Sequence, residues 1–205
     1  KENEVSESTK IYLKIDNELV GAILLKDEAK HGTKEAIQAL NSRGIVTKMF
    51  TGDNKKAAKQ IAEELGISEF AAEMLPDQKY SELEKELEKY KGTNGKVAFV
   101  GDGINDSPVL ARADVGISMG GVGSGSAIEA SDIVVMTDSI DRIDCAIDIS
   151  KKTSKIIKQN LIFSIGVKII VLVLSILGVA NMWEAVFADV GATLITVLNS
   201  LRILK

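Results

Sequence analysis

Apolar and charged positions alternate in short blocks along residues 1 to about 150, whereas residues 159–204 are nearly all apolar. That boundary is the sharpest change in the chain. In the first part, residues 10–16 and 18–25 read as two strands around Asn17, a hairpin. From Thr33 the pattern becomes helix then strand, repeated. Residues 33–42 carry Ala36, Ile37 and Leu40 on one helical face, and residues 45–50 form a strand. Residues 54–65 are helical and stop at Gly66, residues 69–72 are a short strand, and residues 77–91 space Tyr80, Leu83, Leu87 and Tyr90 as a helix does. The acids and lysines alternating along that helix read as a solvated face. Strands over 96–100, 114–118 and 132–136 and a short helix over 107–112 follow. This alternation implies an α/β fold, a parallel sheet with helices on both faces.

The second part decides the membrane question. Residues 160–180 are mostly Leu, Ile, Val and Gly and are long enough to span a bilayer as a helix. Asn181-Met182 is a minimal polar turn, and Trp183, suited to a membrane interface, opens a second stretch reaching Leu204. Lys151, Lys152, Lys155 and Lys158 flank one end and Arg202 and Lys205 the other. By the positive-inside rule both ends face the cytoplasm and the Asn181 turn lies outside. The other reading is a buried hairpin of a soluble protein, but two apolar segments of spanning length joined by two residues rarely serve that purpose. Each span carries one charge, Lys168 in the first and Asp189 in the second. Charges at that depth are costly, usually face the bundle interior and are functional candidates by default. A carboxylate oxygen is a good ligand for a divalent cation, and a nearby lysine suits a built-in counter-ion. A purely structural ion pair is the plainer alternative.

Composition adds limits. The 205 residues suffice for one domain and a piece of another. A net charge of −4 gives no basic footprint for nucleic acid. The single Cys145 cannot form an intrachain disulfide and reads as a small buried apolar residue. The single His31 beside Gly32 reads as a surface residue.

The most informative chemistry follows the apolar run Lys96-Val97-Ala98-Phe99-Val100. There the sequence runs Gly101-Asp102-Gly103-Ile104-Asn105-Asp106-Ser107-Pro108. Asp102 and Asp106 thus stand at the carboxyl end of a strand, where open α/β sheets bind ligands. Two carboxylates four residues apart suit Mg²⁺, a hard cation that prefers oxygen ligands and substrate phosphate. A turn with two solvated acids is the bland reading; the length of the string and its place after a strand argue against it.

This string resembles the hinge motif of P-type ATPases. Thr51-Gly52-Asp53-Asn54, after a second apolar run, is similar to the family's Thr-Gly-Asp loop, and Leu75-Pro76-Asp77-Gln78-Lys79 to its Pro-x-x-Lys segment. Each alone is also a plausible cap or turn; the order and spacing of all three are far more specific. Met119 to Ala130 is glycine-rich and resembles the family's Met-Gly-x-x-Gly segment, with Gly125 where relatives commonly carry aspartate. No Lys-Ser/Thr pair follows it, so it reads as a structural loop rather than a P-loop. Lys168 and Asp189 match the lysine and aspartate of the last two membrane helices in the zinc/cadmium/lead-exporting branch.

The resemblance implies a haloacid-dehalogenase-like Rossmannoid phosphorylation domain followed by two transmembrane helices. Residues 1–26 would end a nucleotide-binding domain with connecting strands, 27–150 would form the C-terminal part of the phosphorylation domain, and 151–205 the last two spans, at about 159–180 and 183–204. It implies ATP and Mg²⁺ as cofactors, with Asp102 and Asp106 toward the metal. Lys79 would stabilise phosphoryl charge, Thr51, Gly52 and Asp53 would position it, and Asn105 would order the loop. Asp189 would bind the transported ion, with Lys168 as counter-ion. Implied partners are a divalent metal ion, the lipid bilayer and the remainder of the pump polypeptide, in a multi-pass protein of the cell membrane with a cytoplasmic phosphorylation domain. The Asp-Lys-Thr-Gly-Thr, Thr-Gly-Glu and Cys-Pro-Cys motifs are absent from these residues. The chain is therefore expected to be the C-terminal third of a pump, inactive alone. A copper or potassium pump is the runner-up, disfavoured by Lys168 with Asp189. A membrane-anchored haloacid-dehalogenase-like phosphatase would need an early Asp-x-Asp, which neither Asp16 nor Asp27 supplies. A non-enzymatic membrane subunit is disfavoured by the intact Thr51, Lys79, Asp102 and Asp106.

Overall fold

The computed structural model describes residues 9–16, 18–25, 29–101, 104–120, 125–137 and 139–204. The chain divides into two compact units, Lys1–Asp144 and Cys145–Lys205. In the first, β1 (Thr9–Ile15) and β2 (Glu18–Leu25) form the expected antiparallel hairpin, with a bulge between Leu13 and Lys14. Asn17 lies outside the described residues. Ile11, Tyr12, Leu13, Leu19 and Val20 are all exposed. Both faces of this two-stranded sheet are open, a form that has little stability by itself.

The helices and strands that follow are set by their ends. α1 (Thr33–Ser42) buries Ala36, Ile37 and Leu40, the expected face. β3 (Lys48–Phe50) is shorter than the expected 45–50, because residues 45–47 are used to close α1. Ile45 N–H donates to the Leu40 carbonyl and the Thr47 hydroxyl to Asn41 Oδ1. α2 (Lys55–Leu65) starts at Asn54, whose side-chain oxygen accepts from the Lys56 and Ala57 N–H groups, and ends at Gly66 with φ 75°, a left-handed stop that glycine adopts without strain. β4 (Glu69–Ala71) pairs parallel with β3. α3 (Pro76–Tyr90) has proline in its first turn, and the Gln78 side chain accepts from the Leu75 N–H.

β5 (Ala98–Gly101), β6 (Val115–Met119) and β7 (Ile133–Val135) form a parallel ladder in that order, interleaved with α4 (Ser107–Arg112) and α5 (Gly125–Glu129). Val109 and Leu110 of α4 are almost wholly buried, and a Cβ on Gly116 of β6 would stand 2.5 Å from the Leu110 carbonyl oxygen. Only glycine permits that approach of helix to strand. The expected parallel sheet therefore appears as two ladders, β3–β4 and β5–β6–β7. The rings of Phe50 and Phe99, 6.4 Å apart, make a contact between them.

The boundary between the units falls one turn into α6 (Asp141–Ile176). Cys145 is exposed there, contrary to the expected burial. It lies about 200° around the helix from the buried Ile143, on the other face. α6 stops before the expected residue 180: Gly178 takes φ 72° and the chain turns to Asn181. Asn181 caps α7 (Met182–Ser200), accepting from Trp183 and Glu184 N–H groups, while the Glu184 carboxylate accepts from the Asn181 N–H. A short 3-10 turn, Leu201–Leu204, follows. α6 and α7 with this turn are long and apolar enough to cross a membrane, and their apolar side chains are almost entirely uncovered, Ile162 at 73% and Phe187 at 74% exposure.

Candidate functional site

Two loops at strand ends bear the site. The first leaves β3. Thr51 N–H donates to the Ala71 carbonyl, Met74 N–H to the Thr51 carbonyl, and Glu73 N–H to the Asp53 carbonyl, at 3.0, 3.0 and 2.8 Å. These bonds stitch Thr51-Gly52-Asp53 to the segment after β4, where Glu73 takes φ 58°. The Thr51 hydroxyl donates to Asp53 Oδ2 at 2.7 Å and accepts from the Asp53 N–H at 3.1 Å. Gly52 and Asp53 are exposed and Thr51 is half-buried. The loop is thus rigid in backbone and open to solvent.

The second loop leaves β5. Asp102 and Gly103 lie outside the described residues. Beyond them Ile104–Asp106 makes a 3-10 turn that puts Asn105 outside and Asp106 inside, only 9% exposed. Asp106 meets Lys79 of α3, whose Nζ donates to its Oδ1 at 2.9 Å. A Cβ on Gly101 would come within 3.2 Å of Asp106 Oδ2. Lys79 and Asp106 are therefore brought together by elements distant in sequence, whereas no contact joins Thr51 or Asp53 to them among the described residues. Among the described residues no three His, Cys, Asp or Glu groups are arranged to hold a metal ion. The donor chemistry still fits Mg²⁺: Lys79 takes one oxygen of Asp106, leaving a second hard oxygen donor.

A half-buried ionic cluster supports this geometry. Lys48 of β3 donates to Glu86 Oε1 at 2.9 Å and Glu82 Oε1 at 3.2 Å, both on α3. Burial pulls the Lys48 ammonium down, but the hydrogen bonds to Glu86 and Glu82 outweigh it and hold its pKa above the ordinary lysine value. Lys85 and then Lys48 hold Glu82 below the usual carboxylate value. The acids of α3 are thus not simply the solvated face expected: two of them tie the helix bearing Lys79 to the strand leading into Thr51. The acid pair at i and i+4 was the available signal, and nothing in the sequence alone pointed it at Lys48. At the other end of β5 the Val97 N–H donates to Asp114 Oδ2 at 3.0 Å and is the main cause holding that carboxyl below its ordinary range.

In the second unit Lys168 Nζ and Asp189 Oδ1 lie 3.4 Å apart, bridging α6 and α7. Both side chains are well exposed, so within this pair of helices they face outward. Sequence reasoning gave no role to Asn160. The structure makes it the centre of an interhelical polar network with Thr196, Asn199 and Ser200.

The model of the haloacid dehalogenase-like hydrolase family matches residues 1–114. Among curated proteins, a cadmium, zinc and cobalt-transporting ATPase of Bacillus subtilis is 48% identical over 96% of this chain and 28% of its own length. A zinc-transporting ATPase of Synechocystis is 45% identical over 96% of this chain and 27% of its own length. A crystal structure of a zinc-transporting PIB-type ATPase in its E2.Pi state superposes with a TM-score of 0.83 at 35% identity, over 97% of this chain and 32% of that one. The chain thus spans less than a third of each of these three transporters. The phosphatase likeness is of fold: an octulosonate 8-phosphate phosphatase from Moraxella catarrhalis aligns at 21% identity with a TM-score of 0.50. With the strand-end loops, the two apolar helices and these likenesses in agreement, the chain belongs to the haloacid dehalogenase-like hydrolase family, in its P-type ATPase branch.

Proposed function

We propose that this chain is the C-terminal part of an ATP-driven pump that exports a divalent soft metal, Zn²⁺, Cd²⁺ or Pb²⁺, across the cell membrane through an aspartyl-phosphate intermediate. The observation that carries this reading is the approach of Lys168 to Asp189, 3.4 Å apart on two otherwise apolar helices. It occurs in the same chain as a phosphoryl-handling site, and charges at that depth persist where function needs them. The aspartate to be phosphorylated belongs to the rest of the pump polypeptide, and residues 27–150 serve as the C-terminal part of the phosphorylation domain. The lysines before Asn160 and Arg202 after α7 support a topology with both helix ends, and that domain, in the cytoplasm.

In this reading the rigid Thr51–Asp53 loop positions nucleotide and phosphoryl group. The Lys79 ammonium stabilises phosphoryl charge as a compact point charge. Asp102 and Asp106 hold Mg²⁺, with Asn105 ordering their turn. Bound there, Mg²⁺ supplies charge neutralisation of the transferring phosphoryl group. Until substrate arrives, Lys79 and Asp106 satisfy each other, so neither is left as an unpaired buried charge. In the membrane Asp189 offers carboxylate oxygen to the ion, and the Lys168 ammonium takes its place when the ion leaves.

The test is Asp189→Ala in the complete pump, reconstituted in vesicles. Zn²⁺-stimulated ATP hydrolysis is expected to fall to the metal-free level while phosphorylation by inorganic phosphate persists. Full stimulation in the variant would show that Asp189 is not a ligand.

A further inference from the structure

The polar network joins the same two apolar helices as the Lys168–Asp189 pair. Asn160 Nδ2 donates to Ser200 Oγ at 2.9 Å and to the Thr196 carbonyl at 3.2 Å, and its Oδ1 accepts from Asn199 Nδ2 at 2.8 Å. The amide is thereby filled: both donors are used and the oxygen is engaged. Asn199 Oδ1 in turn accepts from Arg202 Nη1 at 3.0 Å, and the Ser200 hydroxyl also donates to the Thr196 carbonyl at 2.8 Å. Lys168 stands eight residues beyond Asn160 on α6, and Asp189 seven before Thr196 on α7. The two rungs therefore belong to one antiparallel register, about 12 Å apart along the helix axis.

We propose that Asn160 is a positioning residue for the ion site, fixing the axial register of α6 against α7 so that Lys168 reaches Asp189. The proposal rests on the transport reading above. Between helices in lipid, Leu, Ile and Val set no register, since acyl chains satisfy them as well as a neighbouring helix does. The Lys168 ammonium on its flexible stem tolerates sliding. A planar amide with three directed bonds does not. A slip of one turn, about 5.4 Å, breaks all three bonds and carries Lys168 past Asp189. A single asparagine fixes register in coiled coils by the same logic.

The experiment uses the complete reconstituted pump with buffered free Zn²⁺ as the probe. Three variants are compared: Asn160→Leu, Ser200→Ala, and the exchange of Asn160→Ser with Ser200→Asn. Asn160→Leu is expected to raise the half-maximal Zn²⁺ concentration for ATP hydrolysis roughly 10-fold, the usual effect of losing support behind a metal ligand. Ser200→Ala removes one of the three bonds to Asn160 and is expected to raise it about threefold. The exchange should return it toward the original value. Phosphorylation by inorganic phosphate without metal is expected to be unchanged throughout, because it reads only the phosphorylation site. A lower maximal rate or melting temperature with an unaltered half-maximal Zn²⁺ concentration would make Asn160 a mere fastener and overturn the proposal. If Asn160→Leu does not fold, Ser200→Ala and the exchange decide the same question. A complete pump without Zn²⁺ stimulation, or with full stimulation after Asp189→Ala, would instead sink the transport reading itself.

Discussion

Replacing Lys79 by methionine keeps the stem and removes the charge opposite Asp106. The pair is 2.9 Å long, with side-chain exposures of 20% and 13%. Among the described residues, Lys79 is the cation that pairs with Asp106. Removing one partner of a fully buried pair costs about 3–5 kcal/mol, because the other charge is left without compensation. Some water reaches both ends here, which screens part of that term. The expected loss is about 2–3 kcal/mol, or a fall of about 5–10 °C in melting temperature for a chain of this size. The control is Lys79→Met with Asp106→Asn. That double variant has no orphaned carboxylate and should recover most of the loss. Thermal unfolding followed by near-UV circular dichroism at pH 7 in detergent makes the comparison. Equal melting temperatures for the single and double variants would refute the argument, since they would mean that the carboxylate at Asp106 is indifferent to its partner.

Gly116→Ala should destabilise the α/β unit by about 1–3 kcal/mol, because the new Cβ meets a backbone oxygen that cannot rotate away; a urea midpoint equal to that of the unaltered chain would contradict the close approach of α4 to β6. Acid should weaken the same unit. Glu82 and Asp114 are held below their ordinary values of 4.5 and 3.8, so the stability they contribute is complete above those values and is lost as pH falls through their folded pKa. Lys48, raised above 10.5, contributes fully below that value and loses its contribution as pH rises further. Melting temperatures from pH 2 to 12 should therefore fall at both ends, and Lys48→Met should flatten the alkaline fall.

Much of this was legible in the chain. Asn54 and Gly66 mark the ends of α2 because capping is local chemistry, settled within four residues. The strand-end loops were legible for a similar reason: Thr51, Gly52 and Asp53 and the Asn105–Asp106 turn follow apolar runs directly. The length of β3 was not, since residues 45–47 answer to α1 and not to their own β-branched character. Nor was the pairing of Lys48 with Glu82 and Glu86, because a half-buried lysine and an exposed one look alike in sequence and differ only in what folds over them. Asn160 was visible as a polar residue at the edge of a span. Its partners stand nearly forty residues away, and only the pairing of α6 with α7 brings them to it.

The continuity of α6 has a geometric consequence. Neither glycine nor proline occurs from Asp141 to Ile165, and the helix runs unbroken over 36 residues. At about 1.5 Å per residue it is a rod of about 54 Å, nearly twice the thickness of a bilayer's hydrocarbon. In such a rod, angle is conserved along with length. One residue inserted between Ile149 and Lys158 turns everything beyond it by about 100° relative to the turn Cys145–Asp148. Asn160 and Lys168 would both leave their facing on that side while keeping their distance from each other. Seven inserted residues restore the facing to within about 20° but lengthen the rod by about 10 Å. The segment of α6 before Asn160 therefore acts as an angular scale, and its residue count constrains the helix as firmly as the identity of any one side chain on it.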